Sequence, residues 1–154
     1  MKKTTKLNNK SLYMKLKEKY LIKNLVGLRK LAKELAFYLK PNTFLLLQGN
    51  LGSGKTTLVQ MIAKQLGIEQ VVNSPTFTIC QQYEIDPDYQ LNHFDFFRLS
   101  SGDDLDIFQE IAQNNLNIIE WPEKSPQFWQ GKDCIKVEMI EKEKNTRLVI
   151  IKML

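Results

Sequence analysis

Residues 49–57 are Gly-Asn-Leu-Gly-Ser-Gly-Lys-Thr-Thr, which matches the pattern G-x-x-x-x-G-K-[ST]. The apolar run Phe44-Leu45-Leu46-Leu47 precedes this stretch and is typical of a buried strand. After the stretch, apolar residues recur at helical spacing until Gly67. A strand, a glycine-rich turn and a helix start are the context that the pattern requires, so we expect a phosphate-binding loop, or P-loop, at this point.

The residue types of this loop suit a polyphosphate with Mg²⁺. Glycines let the backbone take positive φ and bring successive N–H groups close to an anion, which is the role we expect for Gly49, Gly52 and Gly54. In the pattern, Lys55 reaches the β- and γ-phosphates and the Thr56 hydroxyl ligates Mg²⁺. The loop residues expected to bind nucleotide are Gly49, Asn50, Leu51, Gly52, Ser53, Gly54, Lys55, Thr56 and Thr57.

Length and composition indicate one reduced, cytoplasmic domain. The 154 residues, 43 % of them hydrophobic, are enough for a single core. No apolar run approaches the roughly 20 residues that span a bilayer, and the first residues lack the apolar stretch of a signal peptide. We therefore expect no membrane contact. Cys80 and Cys134 are far apart and have no neighbouring zinc-ligand pattern, so we expect a reduced intracellular chain.

Basic residues are concentrated at the start of the chain. Residues 1–40 carry twelve Lys or Arg and two acids, whereas the remainder carries ten and fifteen. We predict a basic, flexible extension over 1–20, as a frayed helix or a disordered lead, followed by a P-loop domain over 21–154. The basic end is compatible with a tRNA contact, although charge runs are more often solvated faces.

Hydrophobic periodicity predicts the remaining elements. Leu25 to Leu39 form an amphipathic helix with Asn24 as its N-cap and Pro41 beyond its end. The later elements are a hairpin over 77–85 and 90–96, a helix over 105–111, a strand over 117–120 and a terminal hairpin over 134–140 and 147–153. The expected fold is thus an α/β single-domain P-loop NTPase fold, with a mixed central β-sheet flanked by helices and a C-terminal antiparallel hairpin.

Two predicted strands end in a carboxylate, as phosphoryl transfer requires for its metal shell. Glu120 follows Asn-Ile-Ile in the form of a Walker B acid, and Asp95 follows Asn-His-Phe in nearly the same form. Ligands of open α/β sheets lie at the carboxyl ends of the strands, so both acids can lie beside the P-loop. The alternative for each acid is a surface carboxylate or a helix cap.

Other polar and aromatic residues have less specific interpretations. His93, the only histidine, is interpreted as a structural hydrogen-bonding group rather than a catalytic base. Ser74 and Thr76 flank Pro75 in an extended connection with free hydroxyls. The arginines Arg98 and Arg147 are able either to reach phosphate or to pair with acids. Core packing is the default for Trp121.

These motifs together resemble the TsaE (YjeE) family, the small P-loop ATPases of bacterial tRNA threonylcarbamoyladenosine (t6A) synthesis. The resemblance covers residues from about 24 to 152. Besides the loop, its specific elements are Asn-Ser-Pro-Thr-Phe-Thr-Ile at 73–79, His-Phe-Asp-Phe-Phe-Arg-Leu at 93–99 and Ile-Glu-Trp-Pro-Glu at 119–123. The chain departs from the family at Asn50, where an acid is usual.

The resemblance implies an ATPase that uses Mg²⁺ and acts with TsaB and TsaD in t6A37 formation. It implies catalytic roles for Lys55, Asp95 and Glu120, with Thr56 and Glu120 as metal ligands. It also implies nucleotide contacts by Asn24, Thr76 and Arg147, and it identifies 74–76 as part of a switch segment.

Other P-loop functions fit parts of the same pattern. A small P-loop kinase commonly clamps phosphates with several lid arginines, whereas this chain has three arginines and no cluster of them. A GTPase would have a guanine-reading Asn-Lys-x-Asp, which is missing from the sequence. A nucleotide-gated binding module with little intrinsic hydrolysis remains an open alternative.

Overall fold

A seven-stranded mixed sheet organises the computed structural model, which describes residues 16–154. The first fifteen residues of the predicted extension lie outside this range. The strands are β1 (Lys19–Ile22), β2 (Thr43–Gln48), β3 (Cys80–Asp86), β4 (Tyr89–Asp95), β5 (Leu116–Glu120), β6 (Asp133–Glu143) and β7 (Thr146–Met153). The helices are α1 (Leu25–Tyr38), α2 (Lys55–Gln65) and α3 (Asp106–Ala112), and short 3₁₀ turns span Pro122–Lys124 and Pro126–Phe128.

The strand order is β1-β7-β6-β2-β5-β4-β3. The central strand β2 is parallel to both β5 and β6, and β4 is parallel to β5. The hairpins β3/β4 and β6/β7 and the pair β1/β7 are antiparallel. The predicted α/β fold with a mixed sheet and a C-terminal antiparallel hairpin is therefore confirmed.

The first strand begins inside the segment predicted as an N-terminal extension. Lys19 and Tyr20 belong to β1, which pairs with β7 from Lys19 opposite Ile150 to Ile22 opposite Arg147. Of its four side chains only Ile22 is buried. Such a short strand has almost no alternation to detect, and its partner lies at the other end of the chain, so local pattern gave no sign of it.

Each face of the sheet carries its own apolar cluster. On one face α1 packs against α2 through fully buried side chains that include Leu31, Leu35, Leu58 and Ile62. Burial of one such side chain contributes about 1.5–3 kcal/mol. The opposite face is aromatic, and the Phe96 and Phe128 rings meet edge-on with centroids 5.2 Å apart. Within residues 16–154, the helices are too short or too polar to cross a membrane.

An amide cluster, consisting of the buried Asn92 and Asn117 and the exposed Gln82, holds the end of α3 against the sheet. Asn92 and Asn117 are opposite each other in the β4/β5 register, and the Asn92 amide donates to Asn117 Oδ1 at 2.9 Å. Asn92 also donates to the carbonyl of Ile111, and Asn117 donates to that of Ala112. Gln82 completes the cluster by donating to Asn92 Oδ1. These bonds satisfy carbonyls that the helix end leaves unpaired.

The strand predicted to begin at Phe77 begins three residues later. Ile79 has φ 66°, in the left-handed region that a β-branched residue rarely adopts. Its N–H donates to the carbonyl of Pro75 at 2.7 Å, which closes a turn before β3 starts at Cys80. The N–H of Thr78 donates to the same carbonyl at 3.1 Å, and a turn stabilised by such backbone bonds leaves no mark in the apolar pattern.

Candidate functional site

The carboxyl ends of β2, β4 and β5 meet at one edge of the sheet because these three strands run parallel. Glu120 is opposite Asp95 in the β4/β5 register and opposite Leu47 in the β2/β5 register. Both carboxylates are buried, with 4 % of Asp95 and 2 % of Glu120 exposed. Since β2 leads directly into the loop at 49–57, both acids flank that loop.

The loop glycines serve two different purposes. Gly52 and Gly54 have φ values of 75° and 103°, which strain any other residue. Gly49 is not among the residues with positive φ, contrary to our expectation. A Cβ at Gly49 would lie 2.6 Å from Ser53 Oγ and 2.7 Å from the carbonyl oxygen of Met139. Glycine is needed at position 49 because β6 passes too close for a side chain.

Lys55 points back into the loop that precedes it. Its Nζ donates to the carbonyls of Gly49 at 2.7 Å and Asn50 at 2.9 Å, and it lies 4.5 Å from the ring centroid of Trp121. Burial lowers the pKa of Lys55, while the charges of Glu120 and Asp95 act in the opposite direction. The ammonium group is therefore held beside the loop by carbonyl oxygens that an anion can replace.

The carboxylate of Glu120 connects two elements of the fold to β5. The Thr56 hydroxyl donates to its Oε1 at 2.9 Å and to its Oε2 at 3.2 Å. Nε2 of the buried His93 lies 2.8 Å from the same Oε1. The first turn of α2 is thereby joined to the end of β5 and, through His93, to β4.

The donor set at this point has the chemistry that Mg²⁺ prefers. Thr56 and Glu120 offer hydroxyl and carboxylate oxygens, and Asp95 ends the adjacent strand. Mg²⁺ is usually bound by one or two carboxylates together with waters and substrate phosphates. Among residues 16–154 no group of three or more His, Cys, Asp or Glu side chains is able to hold a metal alone. The residues therefore fit an ion that is coordinated both by these side chains and by phosphate oxygens.

The segment 74–76 is tied to Asp95 by hydrogen bonds. The Thr76 hydroxyl donates to Asp95 Oδ2 at 2.9 Å, and the hydroxyl oxygens of Ser74 and Thr76 are 2.7 Å apart. The other oxygen of Asp95 accepts the N–H of Phe97 at 2.9 Å. A displacement of the segment 74–76 would therefore break a bond to a carboxylate of the site.

These groups surround an open cavity of about 320 Å³, which we call the loop cavity. Its lining consists of Leu51, Gly52, Gly54, Lys55, Thr56, Thr57, Ser74, Thr76, Asp95, Phe97, Glu120 and Trp121. Of the loop residues expected to bind nucleotide, Gly49, Asn50 and Ser53 are absent from this lining. The carbonyls of Gly49 and Asn50 and the hydroxyl oxygen of Ser53 accept from Lys55.

A second cavity of about 450 Å³, the flanking cavity, adjoins the other side of the loop at Ser53, Gly54 and Thr57. Asn24 and Arg147, both predicted from the sequence, line it, and so do Lys23 and Asn145. The Asn24 side chain accepts the N–H of Gly27 and caps α1. Arg147 donates through Nε to the carbonyl of Ser53 at 3.2 Å. The sequence analysis did not identify Lys23 and Asn145. Only their closeness along the chain to Asn24 and Arg147 could have indicated them.

Two aromatic contacts differ from the simplest interpretation of the sequence. Arg98 is in neither cavity, and its guanidinium carbon lies 4.1 Å from the ring centroid of the exposed Phe77. Trp121 packs against the aromatic core cluster, as expected, but it is partly exposed and also lines the loop cavity, with φ 57° and its ring 4.9 Å from that of Phe97. Its position follows from its place directly after Glu120.

Comparison with known proteins gives consistent matches. The family model for "Threonylcarbamoyl adenosine biosynthesis protein TsaE" matches residues 22–149. The protein "tRNA threonylcarbamoyladenosine biosynthesis protein TsaE" of Bacillus subtilis is 39 % identical over 92 residues, which are 59 % of this chain and 58 % of that protein. The protein of the same name from Aquifex aeolicus is 34 % identical over 120 residues, 75 % of this chain and 82 % of its own length.

A solved structure has a similar fold. The crystal structure of Bacillus subtilis YdiB superposes with a TM-score of 0.71 at 26 % identity, covering 86 % of this chain and 82 % of that one. The match to the Bacillus subtilis TsaE spans less than two thirds of that protein, as does the match to the TsaE of Rickettsia felis at 57 % of its length.

Proposed function

Because the chain belongs to the TsaE family, we propose that it is a Mg²⁺-dependent ATPase that acts in t6A37 formation on tRNA together with TsaB and TsaD homologues. The observation that carries the proposal is the convergence of Lys55, Thr56, Asp95 and Glu120 on one cavity at the carboxyl ends of β2, β4 and β5. A cradle for phosphate and two carboxylates for metal and water are the parts that phosphoryl transfer needs.

Lys55 and the loop backbone would bind the β- and γ-phosphates. The N–H groups at the start of α2 and the positive end of its dipole favour an anion at this point. The ammonium group of Lys55 would exchange its bonds to the carbonyls of Gly49 and Asn50 for bonds to phosphate oxygens. Asn24 and Arg147 line the flanking cavity, which has room for the rest of the nucleotide.

Thr56 and Glu120 would hold Mg²⁺, and the bound ion would neutralise charge on the phosphate oxygens. Asp95 would orient the attacking water and take up its proton, since Thr76 and the Phe97 N–H hold its carboxylate beside the cavity. In the reaction the water oxygen bonds to the γ-phosphorus and the bond to the β-phosphate bridging oxygen breaks. The products are ADP and phosphate.

The proposed partners follow from the family and gain support from the surface around the loop cavity. Leu51 and Phe97, which line this cavity, are 73 % and 38 % exposed, and Phe77, which follows Thr76 in the chain, is 83 % exposed. Apolar side chains grouped at the mouth of a site are common where another protein docks. We propose a cytoplasmic location because the proposed substrate pathway acts on tRNA.

A nucleotide-gated binding module with little intrinsic hydrolysis is the second candidate. The observation that favours it is the hydrogen bond from Thr76 to Asp95, which links the segment 74–76 to the nucleotide site. In that case ATP binding would rearrange the segment, whereas turnover by the isolated chain would be close to zero. Comparison of ATP binding with phosphate release separates the two candidates.

The experiment that tests the proposed function is depletion of this protein in its host, followed by nucleoside mass spectrometry of the tRNAs that decode ANN codons. We expect the t6A content to fall on depletion and to recover when the wild-type chain is supplied. Supply of Glu120→Gln should not restore it. Normal t6A levels after complete depletion would contradict the role in t6A formation.

A further inference from the structure

We propose that His93 is a positioning residue that fixes the carboxylate of Glu120 for its metal. The inference rests on the proposed function, because it assigns a task within the same site. The sequence alone predicts for His93 a structural hydrogen-bonding role. Within residues 16–154, however, the only polar contact of its side chain is to a residue that we expect to ligate Mg²⁺.

The direction of the bond between the two residues follows from the groups involved. Nε2 of His93 is 2.8 Å from Oε1 of Glu120. An ionised carboxylate has only acceptors, so the hydrogen must be on Nε2 of the imidazole. Oε1 then receives one bond from His93 and a second from Thr56, whereas Oε2 receives, from the residues that the structure describes, only the longer Thr56 contact of 3.2 Å. Oε2 is accordingly the less restrained oxygen.

Strand pairing fixes where the imidazole lies. His93 is opposite Ile118 in the β4/β5 register, and Glu120 is two residues further along on the same face of the sheet. No part of His93 is exposed to solvent. The imidazole that donates to Glu120 thus belongs to a strand that is paired with β5 in the interior. This position restrains the imidazole more than a position on a loop would.

The second ring nitrogen of His93, Nδ1, is the one that does not face Glu120. Nδ1 of His93 is buried and has no hydrogen-bond partner among residues 16–154. A buried polar atom without a partner costs about 1–3 kcal/mol, so an apolar side chain would suit this position better if packing were its only purpose. What the imidazole offers that an apolar side chain cannot is the bond to Glu120.

Residues that orient a metal-ligating side chain have a measurable effect on metal affinity and activity. Loss of such a residue typically costs 10–100-fold in metal affinity or activity. Without His93, the Glu120 carboxylate would be restrained by Thr56 alone, and Thr56 is itself the other expected ligand. The effect should therefore appear in the affinity for Mg²⁺ rather than in the grip on the phosphates.

The first test is independent of ATP. Because the chain has only one histidine, ¹⁵N-histidine labelling gives the signals of a single imidazole by NMR. In the ligand-free wild type we expect a proton on Nε2 that exchanges slowly with water, and we expect this protection to disappear in Glu120→Ala. A ring protonated only on Nδ1, or an Nε2 signal unchanged by Glu120→Ala, would overturn the inference.

The second test uses two amide substitutions that differ in where they offer an N–H. The amide nitrogen of His93→Gln can reach the position of Nε2, whereas that of His93→Asn lies near Nδ1. For ATP complexes titrated with Mg²⁺ in a calorimeter, we expect a 10–100-fold weaker Mg²⁺ affinity in His93→Asn and a change of only a few-fold in His93→Gln. ATP affinity measured in EDTA should match the wild type in both variants.

The outcomes of this second test separate the inference from the proposed function. Equal Mg²⁺ affinity in the wild type and in a folded His93→Asn would overturn the role of His93 and leave the ATPase proposal intact. A wild type that binds no Mg²⁺-ATP would overturn the proposed function, whatever the NMR spectrum shows. If thermal denaturation shows that His93→Asn is unfolded, His93→Gln and the NMR experiment decide, and a loss of Mg²⁺ affinity in a folded His93→Gln would count against the inference.

Discussion

The hydroxyl of Thr56 donates to the carboxylate of Glu120, with Oγ1 2.9 Å from Oε1 and 3.2 Å from Oε2. This contact joins the first turn of α2 to the end of β5. The fold itself therefore brings together the two residues that we expect to hold Mg²⁺.

Replacement of Glu120 by glutamine should separate hydrolysis from binding. Glu120→Gln keeps the size of the side chain and removes its charge, so metal and water are positioned poorly while the P-loop stays intact. We expect phosphate release to fall by about 100-fold or more, since loss of a ligand should exceed the 10–100-fold effect of losing a ligand's partner. Calorimetry should still detect ATP binding.

The control for this substitution is Glu110→Gln, at an exposed position of α3. It makes the same chemical change away from both cavities and should leave turnover unchanged. Wild-type turnover in Glu120→Gln would show that Glu120 has no part in the reaction.

Removal of the Lys55 ammonium should abolish measurable Mg²⁺-ATP binding. The side chain is the buried cation of the loop, and hydrogen bonds to charged groups are worth about 1.5–3 kcal/mol each. Loss of two such bonds in Lys55→Ala corresponds to an affinity at least about 100-fold lower. Calorimetry with ATP checks this, with the exposed Lys64→Ala of the same helix as control. Unchanged affinity in Lys55→Ala would refute the site.

Substitution of Asn24 should destabilise the fold because its side chain caps α1. Asn24→Ala removes the bond to the Gly27 N–H and should lower the free energy of unfolding by about 1 kcal/mol, whereas Asn24→Asp should keep most of it. Urea denaturation measures both variants. Nucleotide affinity in Asn24→Asp then tests whether Asn24 also contacts the ligand. Equal stability of Asn24→Ala and the wild type would contradict the capping role.

Both cysteines should react slowly in the folded protein. Burial raises the pKa of Cys80 to about 12 and that of Cys134 to about 11, from 9.0. At pH 8 a pKa of about 12 leaves Cys80 with about a thousandfold less thiolate than an ordinary cysteine, and the thiolate is the reactive form. Alkylation followed by mass spectrometry should show little labelling until urea is added. Rapid labelling of the native protein would contradict this expectation.

The same pKa shifts determine a pH dependence of stability. The folded chain keeps its thiol protons to a higher pH than the unfolded chain does, so the unfolded state has fewer protons between pH 9 and the folded pKa values. The thiols should therefore lower the free energy of unfolding as pH rises above about 9. Cys80→Ala should weaken that decline, which urea titrations at pH 8 and pH 10 would measure.

Much of the fold was predictable because its signals are local. The loop at 49–57 has its own pattern, and Asn24 caps a helix with clear periodicity. The acids at 95 and 120 each end an apolar run, and parallel pairing brings such ends together. These features need no knowledge of distant residues.

The features that sequence reasoning missed depend on contacts between distant segments. Strand β1 exists because β7 offers it an edge, and Gly49 is required because β6 passes close by. The contact between His93 and Glu120 depends on the β4/β5 register, which no local pattern specifies. A histidine two residues before a strand-ending acid was the one available hint.

The amide cluster has a consequence for how accurately the site assembles. Asn92 and Asn117 face each other three residues before Asp95 and Glu120 do, on the same pair of strands. A slip of one residue would turn every side chain of β4 to the opposite face and leave buried amides without partners, which is a large penalty for any other register. The amides therefore help to specify the β4/β5 register. The register that satisfies the amides is also the one that places Asp95 opposite Glu120.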